Sequence, residues 1–188
     1  EGFPGECLGS YVFLWGWKQE TTHTWFRMID AEGLESEAVD VMHELWTGRT
    51  PQNRAPTIGD VLIKQLPYLE DFTTAPGAGH TATVRATDPD GDALTFQFEI
   101  RAEAEYADYA GQGEQTPPVL PGLIERATPA SAGEESVVLV RFTAPSTPGA
   151  YRLFAYAYDG NDHYAAANKP FMVGEADDDG NQVTDYGD

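Results

Sequence analysis

Ala82-Thr-Val-Arg-Ala-Thr-Asp-Pro-Asp-Gly-Asp-Ala-Leu-Thr-Phe-Gln-Phe-Glu-Ile100 sets two alternating segments on either side of a Pro/Asp/Gly turn. In the second segment Leu94, Phe96, Phe98 and Ile100 share one face, while Thr95, Gln97, Glu99 and Arg101 share the other. That period of two is the mark of a strand with one side in a core and one in water. The turn Asp88-Pro89-Asp90-Gly91-Asp92 fixes φ at the proline and supplies a glycine for φ > 0. It also gathers three carboxylates within five residues, so it is a candidate cation site as well as a hinge.

Outward from this stretch, period-two segments recur near 57–63, 80–87, 93–101, 136–143, 149–159 and 163–173, parted by Gly/Pro/Asp/Ser clusters. This spacing predicts a β-sandwich over 57–173. Val138, Val140 and Phe142 alternate with Val137, Leu139 and Arg141. Tyr151, Leu153, Ala155 and Ala157 alternate with Arg152, Phe154, Tyr156 and Tyr158, so both faces carry aromatics and this strand belongs in the middle of a sheet. The Ala-, Gly-, Glu- and Pro-rich span 103–133 is too long for a hairpin loop and reads as an elaborated crossover between sheets. The tail 174–188 is acidic and glycine-bearing, the composition of a solvated terminus.

The first 48 residues have a different grammar. Leu8 to Trp17 is a nearly continuous apolar run, which predicts a strand buried on both faces, as in a parallel sheet. After a polar link come Trp25-Phe-Arg-Met-Ile29, a turn at Asp30–Gly33, and an amphipathic helix from about Ser36 to Thr47. Ala38, Val41, Met42, Leu45 and Trp46 form its apolar stripe, with Ser36 as N-cap and Gly48 as stop. The stripe and the strand have almost nothing within the first 50 residues to pack against, as at the end of a larger α/β domain. Residues 49–56 are polar and carry prolines, a short stiff linker that marks a boundary.

The 188 residues include 41% apolar side chains, enough for a real core, and carry a net charge of −20. That charge repels phosphate backbones and anionic lipid, which argues against nucleic-acid partners. No apolar run is long enough to span a bilayer. The one cysteine, Cys7, excludes an internal disulfide and reads as a small buried hydrophobe. His23 and His43 have no second ligand at metal spacing and read as surface or packing residues.

Gly9-Ser-Tyr-Val-Phe-Leu-Trp-Gly-Trp-Lys-Gln-Glu20, with Thr24-Trp-Phe-Arg-Met-Ile, Glu37-Ala-Val-Asp-Val-Met and Leu45-Trp-Thr-Gly48, resembles the last βα unit of a TIM-barrel glycoside hydrolase related to family 2. Asp88-Pro-Asp-Gly-Asp, Pro148-Gly-Ala-Tyr-Arg-Leu-Phe and Tyr158-Asp-Gly resemble the immunoglobulin-like or cadherin-like domain appended to such enzymes. The resemblance implies a mainly β chain in which residues 1–48 are the terminal unit of an incomplete (β/α)8 barrel, followed by an immunoglobulin-like sandwich. It further implies a secreted or cell-surface carbohydrate-active parent whose two catalytic carboxylates lie upstream, so that this portion is non-catalytic. Trp15 or Trp17 would carry over the sugar platform, since an indole stacks on the apolar face of a pyranose; the alternative is a barrel-core role. Glu20 falls where barrel enzymes place functional groups, at the C-terminal end of the strand; the alternative is an ordinary loop carboxylate.

In an immunoglobulin-like sandwich the loops 88–92 and 159–163 share one end, so Asp88, Asp90, Asp92, Asp159 and Asp162 converge on a possible calcium site. The same end should receive the linker 49–56, and an ion there would fix the angle between the two parts. The alternative is that Asp-Gly pairs simply make turns. The sandwich would serve as spacer, carbohydrate-binding or attachment module. A rival reading is a structural extracellular protein whose unpaired N-terminal strand joins other copies into oligomers or filaments.

Overall fold

The turn at 88–92 sends the chain from one sheet to another. The computed structural model describes residues 11–25, 27–104, 115–131 and 135–174. In chain order these hold helix α1 (Glu37–Thr47) and strands β1 (Thr57–Ile58), β2 (Leu62–Ile63), β3 (Thr73–Thr74), β4 (Gly79–Thr87), β5 (Thr95–Ala102), β6 (Ile124–Ser131), β7 (Glu135–Thr143), β8 (Gly149–Tyr158) and β9 (Tyr164–Val173). One sheet runs β1-β4-β7-β6, with β2 also on β4; the other runs β3-β9-β8-β5. The chain's first edge thus changes sheets, pairing antiparallel with β4 at β1 and β2 and parallel with β9 at β3. This strand order is that of an immunoglobulin-like β-sandwich.

The alternation read from the sequence sets the core. Val84 on β4, Ile100 on β5, Val140 and Phe142 on β7, and Leu153 on β8 are fully buried, and Phe96 and Phe98 pack against them. Across the sheet, Thr95 to Ala102 pairs in register with Tyr158 to Tyr151. β8 lies between β9 and β5, as its two aromatic faces require. The span 103–133 does cross between sheets, but it ends in a strand, β6, that the sequence pattern hides.

The N-terminal segment departs from expectation. Among the described residues 11–17 there is no strand, and Tyr11, Phe13, Trp15 and Trp17 stand in solvent. A strand buried on both faces needs a hydrogen-bonded neighbour on each side, whereas the backbone of the run is bonded by the 28–29 segment, with Ile29 N–H donating to the Trp15 carbonyl at 3.0 Å. Residues 8–10, Cys7 and the tail from 175 lie outside the described residues. The helix forms as predicted, closed by Gly48 at φ 67°, but Ser36 gives its hydroxyl to the Arg27 carbonyl instead of capping the helix. Its apolar stripe is not buried: Val41, Leu45 and Trp46 are exposed, and the buried helical residue is Asp40.

The segment 11–36 lies on the outer face of β8 and β9. Glu35 pairs with the start of β9, its N–H donating to the Asp162 carbonyl and its carbonyl accepting from Tyr164 N–H. The Tyr164 hydroxyl donates to the Arg27 carbonyl, and the Arg27 guanidinium sits 5.0 Å from the Tyr164 ring. His23 packs its ring 4.9 Å from that of Phe154. This cover is why Tyr151 to Ala157 are buried on both faces of β8.

Candidate functional site

Two places concentrate chemistry, and the first is the loop end of the sandwich. The 88–92 turn folds on Asp88, whose Oδ1 accepts from the backbone of Asp90 and Asp92. The 159–163 loop folds likewise on Asp159, whose Oδ1 accepts from Asn161 and His163 backbone N–H. The two loops are stitched by Asn161 Nδ2 donating to Asp92 Oδ2 at 2.8 Å. The linker joins them: Asn53 Nδ2 donates to Asp159 Oδ2 at 2.7 Å, and the Arg54 guanidinium engages Asp90 at 2.9 Å. On the helix side Asp40 accepts from Ala55 N–H, so the linker is tied at both ends.

This end brings together Asp88, Asp92 and Asp159, each offering one oxygen, all within 4.8 Å of one another. The Oδ2 atom of Asp88 is buried and has no hydrogen-bond partner. Asp90 is not in the group: its hydrogen bond to Arg54 is what chiefly holds its carboxyl below the usual range. Asp162 also stands apart, exposed at φ 68° in the loop. The carboxylates suit a hard cation in kind, and a six- to eight-oxygen shell would need carbonyls or water besides.

The second place is a cleft of ≈ 510 Å³ between the N-terminal segment and the outer face of β5 and β8. On its floor Glu99 takes the Tyr156 hydroxyl at 2.7 Å and Arg101 Nε at 2.8 Å, while Tyr156 lies 2.7 Å from His23 Nε2. The single hydroxyl proton of Tyr156 goes to the carboxylate, which can only accept. His23 Nε2 must then carry its own proton and donate to the phenol oxygen. Burial, reinforced by Arg101 and Arg27 and opposed by Glu99, lowers the His23 pKa to about 4, so the ring is neutral at pH 7. Burial alone would raise Glu99, but its bonds from Arg101 and Tyr156 outweigh that and hold it below the usual range. Burial, then the Glu99 charge, drives Tyr156 up, so it remains a phenol.

Of the residues expected to meet sugar, Trp17 lines this cleft. Trp15 instead packs on Trp46, ring centres 5.5 Å apart, and Glu20 accepts from Lys18 Nζ at 2.6 Å. His43 is exposed and bonds the Arg49 carbonyl. The network of His23, Glu99, Arg101 and Tyr156 was not read from the sequence as a site. Its signal was there in two halves: polar residues on the outer face of β5, and aromatics on the outer face of the neighbouring strand.

The sequence matches no family model and no curated protein. Among solved structures, the chain is similar to the PKD domain of an M14-like peptidase from Thermoplasmatales archaeon SCGC AB-540-F20, with 18% identity over 64% of this chain and 94% of that one, TM-score 0.33. It is also similar to the ASH/PapD-like domain of human CEP192, with 13% identity over 69% of this chain and 92% of that one, TM-score 0.40. A third likeness is to the copper resistance protein PcoC of Escherichia coli, with 16% identity over 66% and 100%, TM-score 0.30.

Proposed function

We propose that this chain is the non-catalytic, carboxy-terminal portion of a secreted carbohydrate-active protein of the glycoside hydrolase type. Residues 1–48 are then the closing βα unit of its barrel, and the sandwich is the spacer and sugar-binding module fixed to it. The observation that carries this reading is the run Tyr11, Phe13, Trp15 and Trp17, four large aromatics each at least 42% exposed on a segment clamped onto the sandwich. Exposed aromatics in a row are costly unless a ligand or partner stacks on them, and indole faces suit pyranose rings. Titration with neutral oligosaccharides should shift tryptophan fluorescence, and Trp17→Ala should remove most of that shift; an unchanged spectrum across the series would sink the reading.

Calcium belongs to the same proposal, as the ion that locks the linker to the sandwich through Asp88, Asp92 and Asp159. The orphaned Asp88 Oδ2 supports it, since a buried charged oxygen without a donor costs free energy that a cation would recover. Its expected sign is a melting temperature lowered by chelator and restored by calcium.

A second reading has its own support in Val41, Leu45 and Trp46, exposed along one side of α1. In this reading the stripe is covered by another copy of the chain, giving an oligomer or filament; in the first, by the upstream barrel. Native mass by light scattering separates an associating chain from a monomer.

A further inference from the structure

The cleft between the N-terminal segment and the sandwich is not the platform that the barrel resemblance implies, because nearly half of its wall comes from the other part of the chain. Trp17 and Glu32 stand on one side, and Gln97, Glu99 and Tyr158 on the sheet side. We infer that this cleft is the sugar-binding site, and that it holds a neutral oligosaccharide between Trp17 of the N-terminal segment and Gln97 and Tyr158 of the sandwich. The inference rests on the carbohydrate reading above and names where on the chain the sugar sits.

Size, charge and free hydrogen-bonding groups lead to this ligand class. A volume of ≈ 510 Å³ lies within the range of small-molecule sites, about 300–1,000 Å³. The fixed charges on the walls are mutually paired: Arg101 with Glu99 at 2.8 Å, and Arg27 with Asp30 at 3.1 Å. Glu32 reaches Arg27 only at 3.8 Å and is 72% exposed, a carboxylate at the rim that can accept from hydroxyls. An anion would meet the field of a chain with net charge −20, a penalty that a neutral ligand does not meet. Gln97 is exposed on β5 with both donor and acceptor, and Arg27, which lines the cleft, keeps a buried Nε–H that no protein group accepts. Aromatic surface with amide, carboxylate and guanidinium groups around it is what a polyhydroxylated ring requires: an apolar face to stack on, and partners for its hydroxyls.

The floor makes the site preorganised. The Tyr156 proton is committed to Glu99, His23 donates to Tyr156, and Arg101 also grips the Pro117 carbonyl, so these groups have little left to reorganise when a ligand enters.

The test uses calorimetric titration of the whole 188-residue chain with tetramers to hexamers of β-1,4-linked glucose, xylose and mannose. The expected result is binding of at least one series, weakened about tenfold by Gln97→Ala and by Glu32→Ala, as for loss of a ligand hydrogen bond. Leu69→Ala, at a 91% exposed position outside the cleft, should leave it unchanged. Both cleft positions are exposed at the surface, and an unchanged melting temperature will show that their variants fold. Binding that survives both cleft variants overturns the cleft and leaves the carbohydrate reading standing. Absence of binding to every oligomer overturns both.

Discussion

Lys169 is fully buried on β9, and its ammonium is held by the carbonyls of Pro67, Tyr68 and Glu70. Burial lowers its pKa, while Asp71, Glu70 and Asp60 pull the other way. The residue acts as a clasp on the loop between β2 and β3. Lys169→Met keeps the volume but leaves three carbonyls without their donor, so the loss should be on the order of 2–4 kcal/mol in urea unfolding. A change below about 0.5 kcal/mol would show that the loop finds water instead. His23 gives a prediction of opposite character. Its folded pKa of about 4 lies below the ordinary histidine value of 6.5, so the unfolded chain binds the extra proton first as pH falls. The contribution is complete above pH 6.5 and is lost on acidification through the window down to about 4. Wild-type melting temperature should therefore fall across that window, and His23→Gln, which can still donate to Tyr156, should flatten the slope. His80, also lowered by burial and by Lys64, adds a component of the same sign that survives in the variant.

Elements were legible where their pattern was local. The strands over 80–87, 93–101 and 136–143 could be read because apolar residues recur at every second position against one core, 149–159 because both its faces carry aromatics, and 163–173 because Phe171 and Val173 keep the period at its end. β6 could not, because bulges between Ile124 and Arg126 and between Pro129 and Ser131 break the alternation, which suits an edge strand. The apolar run shows the limit of composition: it says that a segment could be buried, not that a neighbour exists to bury it, and the described residues 11–17 form no strand. The candidate cation site was half legible, since the loops could be placed at one end, but no pattern says that Arg54 takes Asp90 out of the group. The loop 159–163 carries its own test. Asp162 adopts φ 68° with its side chain exposed, so Asp162→Gly should be neutral or stabilising by up to about 1 kcal/mol. The same variant should leave any calcium-dependent rise in melting temperature intact, whereas Asp88→Asn should abolish it. Loss of the calcium effect in Asp162→Gly would return that residue to the ligand set.

At the scale of the molecule two opposing surface properties meet. The net charge of −20 keeps copies apart, while Tyr11, Phe13, Val41, Leu45 and Trp46 present apolar area that water disfavours. Which one governs depends on ionic strength, because the screening length falls from about 10 Å at 0.1 M salt to about 3 Å at 1 M, while the apolar attraction does not weaken. If another copy covers the stripe, sedimentation equilibrium should show association that strengthens as sodium chloride rises from 0.05 to about 0.5 M. Leu45→Glu should then restore the monomer at every salt concentration. Because Leu45 is 72% exposed, that substitution should change folding stability by no more than about 0.5 kcal/mol, so a lost assembly could not be blamed on a lost fold. A chain that stays monomeric throughout excludes self-association as the reason for this surface and makes the proposed upstream barrel the cover to test. In that case a longer chain extending into the barrel should protect Trp46 from fluorescence quenching by iodide, which the 188-residue chain should not.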